Sequence, residues 1–108
     1  MSGPDPRSVV RSIAMYGETI SAEELATLAD KMSAVVQRIG SLEELEGWLR
    51  SQRCVESVGT SDYLIKTEPP RKEMLVTFKM DDGSSVTKVV DITLYPDESF
   101  GLAGLHDP

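Results

Sequence analysis

Residues 73–95 read EMLVTFKMDDGSSVTKVVDITLY, and this stretch decides the fold. Met74, Val76, Phe78 and Met80 alternate with Glu73, Leu75, Thr77 and Lys79, the period of a half-buried strand. Asp81-Asp82-Gly83-Ser84 is a turn cluster, and Ser85–Tyr95 is a second strand-like run. A two-residue Asp82-Gly83 turn would set Phe78 against Thr87 and Met74 against Asp91. A three-residue loop, Asp81-Asp82-Gly83 with Gly83 left-handed in a bulge, shifts the pairing by one. Phe78 then meets Val86 and Met74 meets Val90, with only Val76 mismatched, against Lys88. A one-residue slip exchanges the two faces, so burial selects the second register. The even face (Met74, Val76, Phe78, Met80, Val86, Val90, Ile92, Leu94) becomes the core face.

The odd face follows from the segments before this hairpin. Val55–Val58 and Tyr63–Thr67 also read as strands, divided by Gly59-Thr60-Ser61-Asp62. If Pro69-Pro70 is a two-residue turn, a geometry open to a cis bond, Leu64 lies opposite Leu75 and Lys66 opposite Glu73. The odd face then carries an apolar row, Leu64–Leu75–Val89, beside a charged row, Lys66–Glu73–Asp91. The segment Phe100–Leu105 is a short, glycine-weakened edge strand. The competing expectation is that it folds back over the apolar row.

Upstream, the pattern turns helical. Asp5-Pro6 starts a helix over about 6–16, with Val9, Ile13 and Tyr16 on one side. Ser21 and Glu24 form a capping box, and Ile20 and Leu25 occupy the positions of a hydrophobic staple. Leu25, Leu28, Ala29, Met32, Val35, Val36 and Ile39 make one continuous stripe ending at Gly40. Ser41 and Glu44 repeat the capping pattern before a helix over about 42–52. As a helix-turn-helix reader this last helix fails, because Glu43, Glu44 and Glu46 would face phosphates.

The 108 residues carry 18 acidic and 11 basic side chains, a net charge of −7. Nucleic-acid and anionic membrane surfaces are therefore not expected partners, since both call for clustered Lys and Arg. No run approaches the roughly 18 apolar residues of a membrane span. Met1–Arg7 has no apolar leader core, and Gly3 is misplaced for myristoylation, so the expected location is cytoplasmic. The length fits one domain, with helices over about 5–53 and strands over about 54–105.

The candidate chemistry is sparse. His106 reads as a solvated tail residue. Cys54 reads as a buried thiol, and no cofactor or metal is expected. Asp91, between Val90 and Ile92, could act as a general base if it faced an apolar pocket. Alternation along a solvated strand explains it equally well.

The fold class expected is α+β: three N-terminal helices packed on one face of an antiparallel meander of four or five strands. The function expected is a non-enzymatic interaction module. It would bind a protein partner or itself as a homodimer through Leu64, Leu75, Val89, Tyr95, Lys66, Glu73 and Asp91. One alternative is a ligand-binding or enzymatic cone with Asp91, Tyr63 or Tyr95 at a pocket. Another is an acidic inhibitor of a nucleic-acid enzyme.

Overall fold

A computed structural model describes residues 16–61 and 63–108. The helix expected over about 6–16 falls outside the described residues, apart from Tyr16. The described chain is α+β, three helices followed by a four-stranded antiparallel sheet. A fifth strand is not seen.

Helix α1 spans Ala22–Ala26 and opens on the expected capping box. The Glu24 amide donates to the Ser21 hydroxyl (3.0 Å), and the Ser21 amide donates to Glu24 Oε1 (2.9 Å). The expected single helix is interrupted at Thr27, and α2 spans Leu28–Val36. There the Thr27 hydroxyl donates back to the Glu24 carbonyl (3.0 Å), and the Thr27 carbonyl accepts from Asp30 three residues on. A threonine that serves its own turn in this way competes with continued helix. The break leaves Leu28, Met32, Val35 and Val36 fully buried. Helix α3 spans Leu42–Ser51 and buries Leu45, Trp48 and Leu49. Ser41 caps it by accepting from the Glu44 amide. Glu44 reaches past the cap and accepts from the Gly40 amide instead (2.9 Å).

The strands are β1 (Val55–Thr60), β2 (Arg71–Lys79), β3 (Ser85–Leu94) and β4 (Phe100–His106), paired in that order. The central hairpin has the register expected from burial: Phe78 opposite Val86, Met74 opposite Val90 and Val76 opposite Lys88. The mismatch at Val76 is resolved by reach. Lys88 runs its stem beside Leu28 and Leu105 and places its ammonium 2.6 Å from Asp107 Oδ1, beyond the end of the sheet. A long cationic side chain can thus cover apolar surface and still keep its head in water. The helices cover the even face, where Met74, Val76, Phe78, Val90 and Ile92 are buried with the helix side chains in one core.

Residues 63–67 are a correction. They form a single bridge, Ile65 with Arg71, and not a strand. The edge of β2 away from β3 is taken by β1, which sets Val58 opposite Val76, Gly59 opposite Leu75 and Thr60 opposite Met74. An edge can be paired only once, and β1 brings the buried Val58 to it. The displaced segment curls, its Thr67 amide donating to the Ile65 carbonyl (2.9 Å), and returns through a cis Glu68-Pro69 bond.

Both later hairpins close on the same Asp-x-Ser device. The Ser84 amide donates to Asp82 (2.9 Å), and the Ser99 amide donates to Asp97 (3.0 Å). The serine hydroxyls and amides hold both carboxyls below the ordinary value of 3.8. Their ionised form is favoured by folding, so this small contribution is present above that pH and lost as the pH falls further. The middle residue has positive φ in each turn, 87° at Gly83 and 69° at Glu98. Glycine adopts that conformation freely, whereas a residue with a Cβ is strained there by about 1–2 kcal/mol. Allowing for the extra chain entropy of glycine, Glu98→Gly is expected to stabilise the protein by roughly 0.5–1 kcal/mol. Urea unfolding checks this, and a lower midpoint would show that the glutamate side chain compensates its backbone.

Candidate functional site

Antiparallel sheets can leave one face to water, and here that is the odd face. The molecule is 21 Å thick in its shortest dimension, which suits one helix layer on one sheet.

The structure brings together only part of the expected rows. Leu75 points outward from β2, 47% exposed, opposite Val89. Leu64 is exposed too, but it lies in the 61–70 connection, and Gly59 holds the place beside Leu75. Val89 is only 6% exposed, a correction to its expected role at a docking row. The cause is position: β3 is an inner strand, and Leu75 and His106 flank Val89 on either side. Tyr95 leaves the end of β3 and lays its ring against Gly101. A Cβ at Gly101 would stand 2.8 Å from Tyr95 Cε2.

The charged row is also rebuilt. Glu73 and Asp91 are paired across β2 and β3 as expected. Lys66 is not their counter-ion, because its segment is not in the sheet. Arg71 takes that place, its guanidinium donating to Asp91 Oδ2. Asp91 is not on a solvated strand: it is 4% exposed, and its Oδ1 is buried with no hydrogen-bond partner. Its cross-strand neighbour on β4 is Gly104, where an added Cβ would meet nothing within 4 Å.

His106 is the residue that sequence reasoning missed. It is the last residue of β4 and not part of a tail, with its side chain half exposed. Its Nε2 lies 3.7 Å from Glu73 Oε2 and 4.0 Å from Asp91 Oδ2. Glu73, Asp91 and His106 each present one ligand atom, and these atoms lie within 4.8 Å of one another. The parity of His106 depends on a bulge: Asp91 faces Gly104 and Ile92 faces Leu102, leaving Ala103 as the extra residue. No local pattern in the sequence announces that bulge. Arg71 was within reach, since it stands two residues before Glu73 on the same face.

Two cavities on the helix side are lined by described residues. One, of about 150 Å³, is lined by Leu25, Ala26, Leu28, Ala29, Lys88 and Leu105. The other, of about 70 Å³, lies between Leu42, Glu46, Lys72 and Met74. Ligand pockets usually run to about 300 Å³ or more. Asp91, Tyr63 and Tyr95 line neither. Burial pushes the Cys54 thiol up, away from nucleophilic use. No helix among the described residues is long and apolar enough to cross a membrane. Compared with protein-family models, curated proteins and solved structures, the chain has no significant match in any of the three.

Proposed function

We propose that this protein is a small non-enzymatic interaction module that binds a protein partner through the outer face of its sheet, centred on Leu75. The observation that carries this reading is the half-exposure of Leu75 in a strand whose opposite face already supplies the core. An aliphatic side chain is not needed there for folding, whereas a docking surface uses one as an anchor. Tyr63, Leu64 and Tyr95 complete the exposed large apolar side chains of the described residues. Four strands about 4.8 Å apart and some 30 Å long give a face of roughly 600 Å². A specific interface takes about 800 Å² per partner, so flanking residues such as these must contribute.

The occupant proposed is a partner that offers an apolar side chain beside a basic one. A chain of net charge −7 favours such a partner and repels a second copy of itself. The reading includes a cytoplasmic location, supported by Cys54 being the only cysteine of the chain, which excludes an internal disulfide.

The test is an amide NMR titration of the whole chain with a short peptide of alternating leucine and lysine. Shifts should concentrate at Glu73, Leu75 and Tyr95, and Leu75→Lys should abolish them while leaving thermal unfolding within a few degrees. Shifts spread over the whole surface would overturn the reading, as would unfolding of Leu75→Lys, which would make Leu75 core. Light scattering that finds a dimer dissolved by Leu75→Lys would replace the partner with a second copy.

A further inference from the structure

The His106 ring has its orientation and tautomer set by the chain around it. Its Nδ1 lies 3.0 Å from the Asp107 carbonyl, and a carbonyl oxygen only accepts, so Nδ1 carries hydrogen. Nε2 is therefore the atom turned toward Glu73 and Asp91. A neutral ring presents a lone pair to two carboxylates there, which is repulsive unless a positive charge lies between them. A proton on Nε2 would be one such charge. At 3.7 and 4.0 Å from the nearest carboxylate oxygens, however, it would make no hydrogen bond. A metal ion would fit these spacings better. Ligands about 2.0–2.2 Å from a tetrahedral ion stand roughly 3.4 Å apart, a few tenths of an ångström closer than Nε2 stands to either carboxylate.

Two further observations point to a ligand at this place. The Asp91 side chain is more than nine-tenths buried against this cluster, and its Oδ1 has no hydrogen-bond partner. A buried carboxylate oxygen left in that state is costly and calls for a water or an ion. Arg71 holds Oδ2, the oxygen that faces His106, so an ion here would share that oxygen with Arg71 or take Oδ1 after a turn of the carboxylate.

We propose that Glu73, Asp91 and His106 form a binding site for a divalent transition-metal ion on the outer face of the sheet. The three ligands come from β2, β3 and β4, so the sheet itself sets their spacing. One imidazole and two carboxylates suit zinc and its neighbours better than calcium or magnesium, which prefer oxygen throughout. Three protein ligands leave a coordination position for water or for a side chain of a docked partner. The site shares Glu73 and Asp91 with the docking face but does not depend on it, because an isolated chain would bind the ion.

The probe is zinc ion alone, titrated by calorimetry into the untagged full chain at neutral pH. The expected result is one ion per chain, weakened at least tenfold by His106→Ala and by Glu73→Gln. Both side chains are at least a third exposed, so circular dichroism should show both variants folded. His106 is the only histidine, so long-range ¹H–¹⁵N spectra of its ring report the site directly. Zinc should shift the Nε2 resonance while Nδ1 stays protonated. Absence of binding at millimolar zinc would overturn the proposal. Binding that survives both substitutions would overturn it too, by placing the ion elsewhere.

Discussion

Phe78→Ala is expected to destabilise the protein by about 3–5 kcal/mol. Phe78 is fully buried one residue from the end of β2, between Val55 and Val86 on its neighbouring strands. It faces the layer of Leu28, Met32 and Val35, with which it shares one core. Truncation removes a large apolar side chain from that core and leaves a cavity that the sheet, tied by ladders on both sides, cannot close. Small domains have only about 5–15 kcal/mol of stability in all, so a large share would go. Denaturant unfolding should show a much lower midpoint with a similar slope. A midpoint unchanged within error would contradict the packing of helices on this face.

Arg71→Met is expected to cost about 2–4 kcal/mol, and Asp91→Asn clearly less. The two partners of this ion pair are unequally buried: the side chain of Arg71 is 33% exposed and that of Asp91 6%. Without Arg71, a buried carboxylate loses its counter-charge, and its Oδ1 already has no partner. Without the Asp91 charge, Arg71 can turn its guanidinium to water. The lower end of the usual 3–5 kcal/mol for a broken buried pair applies because water can reach part of the gap left by Arg71. The order of the two variants in urea unfolding at neutral pH is the test. Equal losses would mean that the pair is solvated and that Asp91 is not held in the sheet as described.

The hairpin of β2 and β3 was legible to the level of individual pairs. Its evidence is local: the alternation of residues 73–80, the length of the turn and the positive φ that Gly83 provides. The capping box at Ser21 and Glu24 was legible for the same reason. The break at Thr27 was not, because the stripe from Leu25 to Ile39 continues smoothly across it. The helix is interrupted by a hydroxyl that chooses a backbone partner, which hydrophobic periodicity does not record.

The two rows expected on the odd face were legible in half. Leu75 with Val89 and Glu73 with Asp91 follow from the hairpin register, and both pairs are present. Leu64 and Lys66 were assigned from a strand that loses its place to β1. Their types are those of a strand, but occupancy of the β2 edge is a competition between two segments, and the sequence shows each alone. Reading His106 as a tail residue rested on its position two residues from the end. The structure holds it through pairing with Val89 and through Asp107, which is itself drawn in by Lys88.

By itself, then, the sequence determined the α+β class, the face of the central hairpin that becomes core, the register across Gly83 and the acidic character of the surface. Each is a property of neighbouring residues or of composition. Only the tertiary structure decided which strand lies beside β2, where Ala103 bulges, and that Arg71, Glu73, Asp91 and His106 meet. Those outcomes depend on segments distant in the chain sharing one sheet. Their free energies come from burial and pairing that exist only once the sheet has formed, so no local pattern encodes them.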